Sequence, residues 1–237
     1  MKQVKNTLRR TAAEVKRYRI LKKIVPALIA IIIMALIIVY IVSVLYSKYG
    51  SFTVSVLKYD AMKYALTLSD TPDFYENTSR LNSKASTDIT NIDGNTLPAD
   101  LDNVNGEHSG DNYAAYTFYC KNAGTETVTY RYQLYIANMT RDIEKAVRVR
   151  LYVNGEPVTY ARTASDGSGP EPGTTEFKTE TVIAESDIEN FAPGDVTKYT
   201  VVIWLEGNDP DCLDHLIGGE FKIDMTMSVI KGEADGE

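Results

Sequence analysis

The run ETVTYRYQLYI, residues 126–136, decides the fold. Val128, Tyr130, Tyr132, Leu134 and Ile136 fall on one side of a period of two, and Thr127, Thr129, Arg131 and Gln133 fall on the other. Successive side chains of a strand point to opposite faces, so this is a strand with one dry and one wet face. The alternation returns at 146–153, where Val147, Val149, Leu151 and Val153 are expected to face in and Arg148 and Arg150 out. It returns again at 221–229, with Phe221, Ile223, Met225, Met227 and Val229 opposing Lys222, Asp224, Thr226 and Ser228. Further strands are expected at 52–57, 64–68, 113–121, 158–161, 179–184 and 198–206. Asn154-Gly155 is a hairpin signal, because that pair accepts the positive φ angles of a tight primed turn. Ser186-Asp187-Ile188-Glu189 has capping-box spacing and predicts one short helical turn before Pro193-Gly194. With no long helix after Gly50, these strands predict an all-β fold. Its expected form is two antiparallel sheets packed face to face, as a jelly-roll or immunoglobulin-like sandwich.

Ahead of the strands stands a different pattern, IVPALIAIIIMALIIVYIVSVLY at 24–46, without a charged residue. At about 1.5 Å per residue a helix of this length crosses the roughly 30 Å hydrocarbon core of a bilayer. A secretory signal has a shorter apolar run and a small-x-small cleavage site, which residues 46–50 do not supply. A buried helix of a soluble fold would need apolar surroundings on every side. One transmembrane signal-anchor helix is therefore expected. Pro26 fits near its start, where its missing donor costs nothing.

Charge sets the expected topology. Residues 1–23 carry Lys2, Lys5, Arg9, Arg10, Lys16, Arg17, Arg19, Lys22 and Lys23 against Glu14 alone. Excess Lys and Arg stay in the cytoplasm, so the N-terminus is expected inside and the sandwich outside. Subtracting those residues and Lys48 from the totals of 25 basic and 32 acidic leaves 15 basic and 31 acidic after the span, a net of −16. Such an outer part repels nucleic acid, so the partners expected are the lipid bilayer and other surface or matrix proteins. The expected organisation is a basic cytoplasmic tail at 1–23, the helix at 24–46, an extracellular sandwich at 51–231 and an acidic tail at 232–237.

Two polar stretches, residues 69–112 and 162–178, are too long or too broken for hairpin turns and are where partner contacts are expected. Asp88, Asn91, Asp93, Asn95, Asp100, Asp102, Asn103, Asn105 and Asp111 are hard oxygen donors suited to calcium, with Asx turns as the plainer account. The EF-hand register fails, since Gly94 or Gly106 at its sixth position puts Ile89 or Leu101 at its first. No cofactor and no catalysis are expected. His108 and His215 are the only histidines, and neither a HExxH helix nor a GxSxG elbow is present. Asp209 and Asp211, flanking Pro210, are read as either an acid pair or a turn. Cys120 and Cys212 are a candidate disulfide, against two separate thiols. Asn77 and Asn138 open sequons that matter only in a eukaryotic secretory pathway. The rows Tyr113, Tyr116, Tyr119 and Tyr130, Tyr132, Tyr135 serve either core packing or stacking on sugars and partners.

The segment FAPGDVTKYTVVIWLEGNDPDC, residues 191–212, with the last strand FKIDMTMSV, resembles the TasA/camelysin group of bacterial surface and biofilm-matrix proteins, and its membrane-anchored branch in particular. The resemblance covers residues 191–230. It implies a jelly-roll domain displayed outside a bacterial cell and self-association by strand addition, in which an extended segment pairs with an open sheet edge. This chain departs from the group in lacking a release site, which would keep residues 52–57 tied to the membrane. It also lacks zinc-ligand spacing that would support the peptidase activity attached to the camelysin name.

Overall fold

The computed structural model describes residues 22, 24–26, 28–41, 52–56, 64–84 and 89–230. The chain divides into two compact units, Met1–Lys48 and Tyr49–Glu237. The first holds one apolar helix, α1 (Ile24–Ile41), long and apolar enough to cross a membrane. Its side chains are uncovered, with Leu36 at 64% exposure and Val39 at 65%. The expected tail before Lys22, the last expected helical turn and the residues from 231 onward lie outside the described residues.

The second unit is built from β1 (Phe52–Val56), β2 (Leu66–Ser69), β3 (Arg80–Asn82), β4 (Gly106–Glu107), β5 (Tyr113–Asn122), β6 (Val128–Met139), β7 (Val147–Val153), β8 (Glu156–Ala161), β9 (Thr175–Glu176), β10 (Val182–Phe191), β11 (Val196–Leu205) and β12 (Phe221–Ile230). They form a sandwich. Sheet A has the order β10-β6-β12-β1-β3, and sheet B runs β2-β5-β11-β7-β8-β9 with β4 also on β5. The sheets are mixed rather than wholly antiparallel, because β1 lies parallel to β12 and β9 parallel to β8. Parallel neighbours need a long connection, and most of the domain lies between β1 and β12.

The period of two places the main core as the sequence leads one to expect. Tyr130, Leu134, Met225 and Met227 of sheet A meet Phe118, Leu151, Tyr199 and Val201 of sheet B, each no more than 1% exposed. Asn154 (φ 52) and Gly155 (φ 92) make the β7–β8 turn in the left-handed region, which an Asn-Gly pair adopts readily. The expected helical turn at 186–189 is instead strand: Glu185 to Ile188 pair with Gln133 to Tyr130 of β6. A full ladder of backbone bonds and a core position for Ile188 outweigh one local capping preference.

Of the two tyrosine rows, Tyr116, Tyr119, Tyr130 and Tyr132 are buried, while Tyr113 and Tyr135 are half-buried. Tyr130 and Tyr199 share a hydroxyl bond of 2.8 Å between the sheets, and Tyr199 stacks on Phe118 with ring centroids 5.3 Å apart. Burial, aided by Asp70 and Glu107, pushes the Tyr116 phenol up to about 12. Burial, with Tyr160 beside it, does the same for Tyr132, also to about 12. Burial likewise raises Tyr130 and Tyr199. An unfolded tyrosine ionises near pH 10 while these stay protonated, so the folded chain binds more protons and stability falls with rising pH. Unfolding free energy should therefore hold steady up to about pH 10 and then drop by roughly 1.4 kcal/mol per buried tyrosine for each further pH unit. Denaturation midpoints across pH 9 to 12 check this, and a flat profile would contradict it.

Candidate functional site

Three strands of sheet B, β5, β7 and β11, present a second apolar face on the side away from sheet A. Ala115 (β5), Val202 and Trp204 (β11) pack there with Leu101, and Ile92, Leu97, Tyr113 and Tyr152 close around them. The lid is residues 89–105, part of the polar stretch expected to be loop. Ile92 enters a parallel bridge with Glu206, its N–H donating to Leu205 O at 2.9 Å. Two single 3-10 turns, Gly94–Thr96 and Leu101–Asn103, carry the lid across the sheet. A Cβ at Gly94 would stand 2.9 Å from the Trp204 ring, so only glycine lets the lid lie this close.

Polar bonds tie the lid and two further loops together. Glu206 Oε2 accepts from Trp204 Nε1 at 2.9 Å and from Gly94 N at 3.0 Å. Asp102 accepts from Thr200 Oγ1 at 2.7 Å and binds Lys198 Nζ at 2.5 Å. Arg148, expected to face solvent, is 2% exposed. Its Nη2 reaches Asp209 Oδ2 at 2.5 Å and Glu171 Oε2 at 3.1 Å, linking the 206–220 and 162–174 loops to β7. Burial opposes its charge, but the bonds to Glu171 and Asp209 win and hold the guanidinium above its ordinary pKa. Arg150 stacks over Trp204, 5.1 Å from the ring centroid. Period-two reading places both arginines correctly on the outer face; what it misses is that the face is roofed. The signal lay in β5 and β11, where YAAYTFYC and TVVIWL are apolar at both parities, as in strands covered on both sides.

The expected site residues find other employment. Asp209 is committed to Arg148, and Asp211 Oδ2 accepts from Ser165 N at 2.8 Å, so the two acids do not form an open pair. Asp93 Oδ1 accepts from Asn95 N at 2.8 Å, Asn105 Oδ1 from the Tyr119 hydroxyl at 2.6 Å, and Asp102 serves Lys198. Asp88 lies outside the described residues. Among those described, no three His, Cys, Asp or Glu converge to hold a metal ion. Cys120 and Cys212 are both free. Cys120 faces the core opposite Thr197, near one end of β11, while Cys212 follows from the other end, a separation of about 25 Å along the strand. The Cys212 Sγ instead accepts from Asn91 Nδ2 at 3.3 Å.

The 140–146, 162–174 and 206–220 connections gather at one end of the sandwich. β12 starts at Phe221 opposite Met139, so the 206–220 and 140–146 connections share that end. β8 leaves toward it, with Tyr160 opposite Val149, and delivers the 162–174 loop. β1, parallel to β12, begins there too, with Phe52 opposite Ile223. The tight turns at 123–127, 154–155 and 192–195 lie at the far end.

No family model and no curated protein matches the chain. Among solved structures it is similar to the beta-glucosidase from Kluyveromyces marxianus. In complex with glucose that enzyme shows 14% identity and a TM-score of 0.25 over 72% of this chain and 16% of the enzyme. In selenomethionine-labelled form the values are 13%, 0.26, 72% and 17%.

Proposed function

We propose that this chain is a single-pass membrane protein with a cytoplasmic basic tail and an acidic β-sandwich displayed outside a bacterial cell, where its role is structural or adhesive. The observation that carries this reading is α1, apolar on every face and uncovered, followed after residues 42–51 by a domain with its own core. The nine bases ahead of the helix support the orientation. The resemblance of residues 191–230 to TasA/camelysin proteins supports the surface role.

Association through sheet edges falls on β10. Among the described residues the other outermost strands have two to four residues, whereas β10 has ten. Its bulges, and Glu185, Asp187 and Glu189, keep that edge from indiscriminate pairing while leaving it open to a matched partner strand.

The intact mass of the protein extracted from its own membranes tests the proposal. The expected mass includes residues 1–50, with protease added to intact cells removing the sandwich and sparing the tail. A mass matching a chain that begins near Phe52 would replace the anchored protein with a released one.

A further inference from the structure

Three of the seven exposed large apolar side chains described in the sandwich lie at the end where β1 begins. Ile217 is 72% exposed, Leu213 56% and Met139 38%. Leu213 and Ile217 bracket the 3-10 turn Asp214–Leu216, whose Leu216 is turned inward at 4% exposure and pins the knuckle to the fold. The knuckle is rigidly held. Gly219 N donates to Leu216 O at 2.8 Å, Thr140 N to Glu220 O at 3.0 Å, and Glu220 N to Thr140 Oγ1 at 2.8 Å. A Cβ on Gly219 would stand 2.9 Å from Leu216 O and 3.1 Å from the Ile143 side chain, so the two loops are in close contact.

We propose that this knuckle, Leu213 and Ile217 with Met139 beside it, dips into the outer interface of the bilayer. The inference rests on the reading of residues 24–46 as a membrane span, and tether length argues for lipid as the occupant. If the span ends at Tyr46, residues 47–51 reach at most about 17 Å when fully extended. Phe52 starts at the knuckle's own end, so the tether joins the sandwich there, and the far turns lie a ten-residue strand such as β12, roughly 33 Å, beyond it. Arg141 stands beside the knuckle, its guanidinium 4.0 Å from where a Cβ on Gly218 would lie, among Asp211, Asp214 and Glu220 of the same connection. Two or three apolar side chains bind a membrane weakly when free, but a tether makes the contact intramolecular and keeps it occupied.

The full chain carrying Cys212→Ser and Ile217→Cys is labelled with an environment-sensitive fluorophore and reconstituted into phosphatidylcholine vesicles containing nitroxide lipids. Cys120 is wholly buried and stays unlabelled. Quenching at 217 is expected to exceed that at a Glu156→Cys label on the far hairpin by about twofold or more, and a Leu213→Cys label should behave like 217. Substituting either exposed residue removes no core packing. Equal quenching at 217 and 156 overturns the proposal, as does a label shielded from water yet untouched by the nitroxide, which would mean a protein cover. Alkaline washing of the same vesicles separates the two readings. A chain that washes off overturns the anchor and the contact together, whereas an integrated chain with an unquenched label at 217 overturns the contact alone.

Discussion

Replacing Arg148 with Met is expected to destabilise the sandwich by about 3–5 kcal/mol, because it strands the buried Asp209 carboxylate without its partner. Arg148 is 2% exposed and bonds two acids that belong to separate loops, so its loss removes a tie as well as a charge. The second half of the expectation distinguishes charge from packing. Adding Asp209→Asn to Arg148→Met removes both ions, and a substantial part of the loss should return, since replacing a buried pair costs far less than breaking it. Urea denaturation of the detergent-solubilised chain reads both variants through Trp204, the single tryptophan, which lies on the same face. A single-variant loss below about 1 kcal/mol would show the pair to be no more than a surface bridge.

Trp204→Ala should cost a similar amount, about 3–5 kcal/mol, for a different reason. Trp204 is 3% exposed and is the floor on which Ile92, Leu97 and Leu101 rest. Its removal leaves a cavity under the lid and deprives Glu206 of the indole donor. The effect should be local before it is global. Amide exchange at Ile92, Gly94 and Gly207, whose N–H groups bond across the lid and sheet, should accelerate more than exchange in β6 or β12. Tyrosine near-UV dichroism serves as the unfolding signal, as the fluorophore is gone. Uniform acceleration throughout would mean that the lid is not a separate layer.

Together these variants probe what holds the loops at the end where the chain comes in. Arg148, Glu206 and Asp102 fix the lid and both neighbouring loops to sheet B, so contacts made by those loops are made by a rigid surface. Loosening that surface should also weaken the knuckle at Leu213 and Ile217, which hangs from the same 206–220 connection.

The strands β6, β7 and β12 and their inward rows in the main core were legible from alternation alone, because a period of two admits one assignment of faces wherever one face is buried. The apolar helix was legible from composition, because an uncharged apolar run of this length has the same property on every side. The lid was not, since residues 89–105 are polar on average and their few anchors, Ile92, Leu97 and Leu101, have no period of their own. The buried arginine was not, since an outward position in a strand looks the same whether water or a distant loop covers it. Nor could chain order show that β1 joins β12 in parallel, or that Cys120 and Cys212 leave β11 at opposite ends. Local pattern specifies which face of an element is dry. Which element lies against it, and hence whether Arg148 meets water or Asp209, depends on contacts between residues far apart in the chain, and only the folded structure decides those.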